Sequence, residues 1–285
     1  MTITQPSFVD RAGQLPAGSG VLETPALSVV IPVYHEGENI ELTLQTLQAA
    51  VAVPYEVLIV YDDEEDATLS VVRRLQTRYP QAVLVHNAIT QGPSGALRTG
   101  FQRARAENVL VVMADSCDDL SQIAHLISLV PRVADIACPS RYCRGGRQQL
   151  RPSPKVWIPK LAGRCMKWLT GIPTYDPTNS FKLYSASVLR SIKLSSTVSF
   201  SVTLEIMAKA HCLGYRIVEV PTTWRDRQHG KSHFKLGRSL VAYFPWFCVG
   251  MLRGRLVRLP TSWLRAWFGS SQGVPREELH VAQDA

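Results

Sequence analysis

A run of apolar residues that ends in three carboxylates constrains this chain more than any other feature. Residues 109–114 are continuously apolar, which is typical of a strand buried on both faces of a parallel sheet. Asp115, Asp118 and Asp119 follow within five positions, where α/β folds place their ligands. Since carboxylates suit Mg²⁺ or Mn²⁺, the run predicts a divalent cation site. Alternatively, Asp118 and Asp119 only cap a helix beginning near Leu120.

Apolar strands alternate with helical segments through the first half of the chain. The predicted strands are 27–33, 55–61, 82–87, 109–114 and 136–139. The helices that follow the first four are 38–51, 66–79, 94–106 and 120–129. This alternation predicts an α/β fold with a mostly parallel sheet and flanking helices. Later elements are predicted at 155–169 (helix), 181–184 (strand), 201–211 (helix) and 215–220 (strand).

The chain of 285 residues is long enough for one substantial α/β core. Residues 1–25 carry prolines and glycines and lack the apolar centre of a signal peptide, so they are predicted to be a flexible leader. We expect one domain at 26–236, an amphipathic segment at 237–270 and a flexible tail at 271–285. Six cysteines without metal-type spacing indicate reduced thiols.

The net charge of +8 is concentrated in two stretches. Residues 141–167 hold eight basic and no acidic residues, and residues 225–265 hold nine basic and one acidic residue. Both stretches favour polyanions such as phosphates, nucleic acid or an anionic membrane surface. Nucleic acid ranks last, because aromatic residues are not interleaved with the basic ones in the first stretch.

The C-terminal segment combines aromatic and basic residues. Residues 239–252 are mostly apolar but include Pro245, and they are too few to span a bilayer, which takes about 20 residues. A second aromatic stretch follows at 263–268. This composition predicts helices that lie in the membrane interface; the alternative is a core helix packed on the sheet.

Other acidic and glycine-rich motifs lie at predicted strand ends. Glu36 follows the first strand, and Asp62 and Asp66 follow the second. They could hold a nucleotide or serve only as turn and cap residues. The segment Gln91–Gly100 is a glycine-rich helix entry with Arg98 one turn inside, but it lacks the P-loop and dinucleotide spacings.

Together these residues resemble the inverting family 2 glycosyltransferases, specifically the dolichol- and polyprenyl-phosphate hexose (mannose or glucose) synthases, over about residues 27–250. The resemblance implies a GT-A fold, a nucleotide-sugar donor, a divalent cation and a polyprenyl-phosphate acceptor, with the protein peripheral on the cytosolic face of a membrane. It rests on Ile31-Pro-Val-Tyr-His-Glu36, Ile59-Val-Tyr-Asp62, residues 92–100 and 113–119, Ser140-Arg-Tyr142, Asp176-Pro-Thr-Asn-Ser-Phe181, Val218-Glu-Val-Pro221 and Arg227-Gln-His-Gly-Lys-Ser-His233.

The resemblance also implies roles for single residues. Asp115 and Asp118 would bind the metal and the donor phosphates, and with Arg227 they are the catalytic candidates. The acceptor-phosphate candidates are Arg141, Arg151 and Asp176. Asp176 could position a sugar hydroxyl or could equally be structural. The remaining donor-binding candidates are Pro32, Tyr34, Glu36, Val60, Asp62, Arg98, Lys231 and His233.

Three departures from the family pattern qualify these roles. Ala114 and Ser116 stand at the two acidic positions of the usual Asp-x-Asp motif. His233 replaces the lysine that closes the late motif, and Tyr61 replaces the first aspartate of a common pair.

The leading hypothesis is mannose transfer from GDP-mannose to a polyprenyl phosphate. Transfer of glucose or GlcNAc from a UDP-sugar is one alternative that stays open. Transfer to a different acceptor, such as a polysaccharide or a pigment lipid, is another. A processive synthase with its own membrane channel is disfavoured by the absence of long apolar spans. The altered acidic motif also leaves open an alternative from a different functional class, a non-catalytic nucleotide-sugar-binding or scaffold protein.

Overall fold

The computed structural model describes residues 24–149, 157–226, 236–254 and 257–270. Within these ranges the strands are β1 (Leu27–Pro32), β2 (Tyr55–Tyr61), β3 (Ala82–His86), β4 (Asn108–Val111), β5 (Ile136–Ser140), β6 (Arg147–Gln149), β7 (Lys182–Ser185), β8 (Ile217–Pro221) and β9 (Thr223–Arg225). The helices are α1 (Ile40–Ala50), α2 (Ala67–Leu75), α3 (Pro93–Arg103), α4 (Ile123–Leu129), α5 (Trp157–Thr170), α6 (Ala186–Ser191), α7 (Ser201–Leu213), α8 (Leu236–Met251) and α9 (Thr261–Phe268).

Seven strands form one sheet in the order β3-β2-β1-β4-β7-β5-β8. Only β7 runs antiparallel to its neighbours in that sheet, so the predicted α/β class with a mostly parallel sheet is confirmed. β6 and β9 form a separate parallel pair. The sequence did not predict this pair, because its strands are three residues long and lack apolar alternation.

The strand order reverses at β1. β2 and β3 lie on one side of β1 and β4 lies on the other, all parallel to one another. In open α/β sheets such a reversal leaves a crevice beyond the carboxyl ends of the two central strands, where ligands bind. The loops after β1 and β4 therefore border the position at which this fold offers a binding site.

Two apolar clusters hold the helices against the sheet. One includes Leu44 of α1 and Leu69 of α2, and the other includes Leu97 of α3 and Ile206 of α7. The contact between α3 and the sheet is close, because a Cβ at Gly100 would lie 2.2 Å from Cγ1 of Val30. Burial on both sides fixes where each strand ends and thus where its following loop begins.

The strand predicted at 109–114 ends earlier than expected. β4 stops at Val111, although the Val112 N–H still donates to the Val30 carbonyl at 3.1 Å. The chain then leaves the sheet, so the acidic residues lie on a loop. The helix predicted at 120–129 begins with a 3₁₀ turn, Leu120–Gln122, before α4.

The C-terminal helices pack on α7. Leu264 of α9 is fully buried, and Nζ of the buried Lys209 on α7 lies 4.9 Å from the ring of Trp246 and 5.7 Å from that of Phe268. Lys209 also pairs with Glu205 at 2.6 Å. These contacts attach α8 and α9 to the sheet domain. Residues 1–23 and 271–285, which hold most of the predicted leader and the whole predicted tail, lie outside the described residues.

Candidate functional site

Acidic side chains and one arginine converge at the carboxyl ends of β4 and β5. Asp115 and Asp118 lie on the loop after β4, and Arg141 follows β5. The charges of Asp115 and Arg141 both act on Asp118, so these groups lie close together. A pocket of about 490 Å³ opens beside the loop and is lined by Asn39, Thr43, Met113, Asp115, Asp118 and Arg225, among other residues.

Asp118 has a carboxylate oxygen that the described residues leave unpaired. Its Oδ2 is buried and has no hydrogen-bond partner among them. Burial, followed by the charge of Asp115, raises the pKa of Asp118 to about 7, although Arg141 opposes this. A buried unpaired acceptor is costly. The environment of Asp118 therefore favours a bound proton or a bound cation.

The two carboxylates of Asp115 and Asp118 fit a divalent cation that takes its remaining ligands from water and substrate. Within residues 24–149, 157–226, 236–254 and 257–270, no three His, Cys, Asp or Glu side chains are grouped to hold a metal. Asp115 and Asp118 would supply two carboxylates, and water and phosphate oxygens would fill the other positions. Mg²⁺ commonly binds in this way.

The third acid of the run has a structural role in the fold. Asp119 is the N-cap of the 3₁₀ turn, and its Oδ1 accepts hydrogen bonds from the Ser121 N–H at 3.3 Å and the Ser121 hydroxyl at 2.6 Å. The capping alternative therefore describes Asp119, whereas the Oδ2 of Asp118 has no such partner in the described part of the chain.

Arg141 is held by Asp176 through a two-pronged ion pair. Nε donates to Oδ2 at 2.7 Å and Nη2 donates to Oδ1 at 2.8 Å, while the Arg141 N–H donates to Oδ2 at 3.0 Å. The guanidinium also lies 5.1 Å from the ring of Tyr142 and 5.9 Å from that of Trp224. Although burial opposes it, the pairing with Asp176 raises the pKa of Arg141, so the guanidinium stays charged.

Buried polar residues hold the turn that carries Asp176. Lys182 is fully buried on β7, and its ammonium donates to the carbonyls of Pro177 and Asn179. Glu219 on β8 accepts from the Tyr175 N–H at 2.6 Å. Neither Lys182 nor Glu219 was predicted from the sequence as a supporting residue. A lysine inside the apolar run Phe181-Lys-Leu-Tyr184 was the available signal.

The loop after β1 contains the first group of donor-binding candidates. Tyr34 is exposed, and its ring lies 4.6 Å from that of His35, which has a left-handed φ of 54°. Oε2 of Glu36 accepts from Asn39 at 2.8 Å. Asp66 caps α2 through the Thr68 N–H, and its Oδ2 accepts from the His35 N–H at 2.9 Å. Asp66 thus holds the loop in place.

The second group lies along β2 and α3. Val60 pairs with Pro32 across the sheet. Asp62 accepts from Asn87 Nδ2 at 2.6 Å and from the Gly92 N–H at 2.7 Å. Its carboxylate therefore secures the glycine-rich turn at the start of α3. Arg98 donates from Nη1 to the Ser196 carbonyl at 3.2 Å, so α3 is tied to the segment that precedes α7.

Four site candidates cannot be placed. Arg151, Arg227, Lys231 and His233 lie outside the described residues. Their assignments to the donor diphosphate and the acceptor phosphate stay predictions.

Comparison with known proteins identifies relatives and a shared fold. Residues 28–193 match the family model described as Glycosyl transferase family 2. The chain is 30% identical to the polyprenol monophosphomannose synthase of Mycolicibacterium smegmatis over 87% of this chain and 94% of that protein. It is 30% identical to the dolichol-phosphate mannosyltransferase of Pyrococcus furiosus over 76% of this chain but only 61% of that longer protein.

A solved structure shares the fold at low sequence identity. Glucosyl-3-phosphoglycerate synthase from Mycobacterium tuberculosis, in complex with Mn²⁺, UDP and glucosyl-3-phosphoglycerate, superposes with a TM-score of 0.58 at 14% identity. The match covers 81% of this chain and 80% of that one. It confirms the expected GT-A-like arrangement of the sheet and helices.

Proposed function

Because the chain belongs to glycosyl transferase family 2 and is therefore a glycosyltransferase, we propose that it moves a hexose from a nucleoside-diphosphate sugar to a polyprenyl phosphate. The anomeric carbon is inverted in this transfer. The names of the two relatives support a lipid-phosphate acceptor and favour mannose. GDP-mannose is the proposed donor.

One observation carries this proposal. Oδ2 of Asp118 is buried, has no hydrogen-bond partner among the described residues, and lies on the loop after the central strand β4, near the charges of Asp115 and Arg141. An oxygen that favours a cation, next to a fixed guanidinium, suits a nucleoside diphosphate that arrives with Mg²⁺ or Mn²⁺. When bound, such a metal supplies a positive charge that stabilises the departing diphosphate.

The residues of this chain would then position the reactants and compensate their charge. Asp115 and Asp118 would hold the cation that accompanies the donor phosphates, and Arg227 is proposed to neutralise the same diphosphate. Arg141, which Asp176 holds in place, is proposed to bind the acceptor phosphate. A lipid monophosphate has a second pKa near 6, so the attacking oxygen is already ionised at neutral pH. The reaction therefore needs alignment more than a general base.

A UDP-sugar is the second candidate donor. The mycobacterial synthase, which has a similar fold, was solved in complex with UDP and Mn²⁺. The exposed Tyr34 on the loop after β1 could stack on guanine or on uracil. With a UDP-sugar, glucose or GlcNAc would be the transferred group. The acceptor could then also differ.

We further propose that the protein works on the cytosolic face of a membrane through α8 and α9. Exposed apolar side chains on these helices include Val241, Phe244, Trp263 and Trp267. Amphipathic helices of this kind lie in the membrane interface. Among the described helices, none has the length and apolar character needed to cross a bilayer.

A ligand screen tests the donor assignment directly. The full-length protein is heated with GDP, UDP, CDP and their sugars, each in Mg²⁺, Mn²⁺ or EDTA. A ligand that binds only the folded state raises the unfolding temperature. We expect the largest rise with GDP-mannose and metal, and loss of that rise in EDTA and in Asp115→Ala. A response to UDP-sugars alone would change the donor and leave the enzyme class intact, whereas equal responses in EDTA would refute the metal site.

A further inference from the structure

We propose that Thr43 of α1 is a positioning residue that fixes the orientation of Asp115 for metal and diphosphate binding. This inference rests on the proposed function. Thr43 is 43 positions into the chain and Asp115 lies 72 residues later, so no sequence motif joins them. Their relation exists only because α1 packs beside the loop after β4.

The hydroxyl of Thr43 contacts both chain neighbours of Asp115. Its Oγ1 lies 3.1 Å from the carbonyl oxygen of Ala114 and 3.4 Å from Oγ of Ser116. A third contact, at 3.1 Å, joins Oγ1 to the carbonyl of Asn39, the N-cap of α1. A hydroxyl can donate one hydrogen bond and can also accept hydrogen bonds. It can therefore bond to Ala114 or Asn39 while accepting from Ser116.

The backbone of this loop needs such support. Ser116 has a φ of 57°, a left-handed conformation that is unfavourable for a side chain with a Cβ. Unusual backbone angles persist where surrounding contacts fix them. The Cys117 N–H also donates to Oδ1 of Asp115 at 3.2 Å. Because Thr43 contacts the residues before and after Asp115, the Asp115 carboxylate is held toward the pocket that it shares with Asp118.

The same first turn of α1 connects to the loop after β1. Asn39 donates to Glu36 at 2.8 Å, and the Asn39 carbonyl is one of the contacts of Thr43. Thr43 is almost fully buried, so its hydroxyl bonds to the protein rather than to bulk water. The start of α1 thereby sets the spacing between the loop proposed to hold the nucleotide base and the loop proposed to hold the diphosphate.

Two substitutions separate the hydroxyl from the shape of the side chain. Thr43→Val keeps the volume and removes the hydroxyl, whereas Thr43→Ser keeps the hydroxyl. The dissociation constant of Mn²⁺ is measured by electron paramagnetic resonance in the presence of GDP and, separately, UDP. Unfolding temperature is measured in EDTA. Groups that orient metal ligands typically change affinity by 10- to 100-fold, so we expect Thr43→Val to weaken Mn²⁺ binding roughly tenfold or more.

The control variant makes the result decisive. Thr43→Ser should bind Mn²⁺ within about twofold of the wild type, and both variants should remain folded in EDTA. Equal Mn²⁺ affinity in Thr43→Val and wild type would overturn the positioning role, as would an equal loss in Thr43→Ser. If Thr43→Val does not fold, a clear loss of Mn²⁺ affinity in a folded Thr43→Ser protein still overturns the positioning role, because Thr43→Ser keeps the hydroxyl. A wild type that binds no Mn²⁺ with either nucleotide would instead overturn the metal site itself, and this inference with it.

Discussion

Asp176 holds Arg141 by three hydrogen bonds, two from the guanidinium and one from the backbone N–H, at 2.7 to 3.0 Å. The same three-bond arrangement occurs a second time, where Asp135 accepts from the N–H, Nε and Nη2 of Arg216. The two pairs lie at opposite ends of β5, because Asp135 precedes that strand and Arg141 follows it. Only the Arg141 pair lies near Asp118. The fold therefore contains its own control for the role of that pair.

We expect Asp176→Asn to lower both stability and transfer activity. Removing one partner of a buried ion pair costs about 3 kcal/mol or more, because the other charge is left uncompensated. Arg141 would also lose its fixed direction, so KM for the acceptor phosphate should rise. Urea denaturation and steady-state kinetics measure the two effects.

Asp135→Asn is the matched control for this change. It should destabilise the protein but leave kcat and KM of the folded fraction near the wild-type values. If both variants lose activity only in proportion to their unfolded fraction, Arg141 placement has no part in the reaction. A stable Asp176→Asn protein with no activity would instead support the reading in which Asp176 contacts a sugar hydroxyl.

The stability that Asp118 contributes to the metal-free protein should fall as the pH rises from about 4 to about 7. Burial, followed by the charge of Asp115, raises the pKa of Asp118 from 3.8 to about 7. In that window the folded state keeps a proton that the unfolded state has lost, so raising the pH favours unfolding. The effect is on the order of 4 kcal/mol, since each pKa unit corresponds to about 1.4 kcal/mol.

Urea denaturation in EDTA at several pH values measures this contribution. Asp118→Asn should flatten the decline, because the amide does not titrate. Asp119→Asn should keep the wild-type profile, since asparagine also serves as an N-cap. Parallel profiles for wild type and Asp118→Asn would show that Asp118 titrates normally.

Membrane binding should depend on the exposed apolar side chains of α8 and α9. The double substitution Phe244→Ser with Trp263→Ser should abolish most flotation with anionic vesicles, because burying each large apolar side chain contributes about 1.5 to 3 kcal/mol. Binding of the wild-type protein to the vesicles should weaken as salt is added, because salt screens the attraction between basic residues and anionic lipids.

Val83→Ser with Val133→Ser is the control pair. Both valines are exposed, but neither lies on the C-terminal helices, so flotation should be unchanged. Equal loss in the two double variants would point to general unfolding. Undiminished flotation of the Phe244→Ser, Trp263→Ser protein would remove α8 and α9 from the membrane surface.

The sequence by itself determined the class of fold, and it predicted where along the chain a site would lie. The apolar runs of β1, β2 and β4 are local signals, because a strand buried on both faces must be apolar throughout. The acids that follow these strands could therefore be placed at one edge of a parallel sheet. The strand predicted at 109–114 was nevertheless too long, since hydrophobicity alone does not show where the chain leaves the sheet.

Only the tertiary structure decided what each polar residue contacts. Asp118 and Asp119 look alike in sequence, but Asp119 caps a turn while Oδ2 of Asp118 is buried without a partner in the described residues. Arg141 and Asp176 are 35 residues apart, and Thr43 and Ala114 are 71 apart. Such contacts depend on how helices and loops pack against the sheet. Packing distributes over many weak interactions, so no local pattern encodes it.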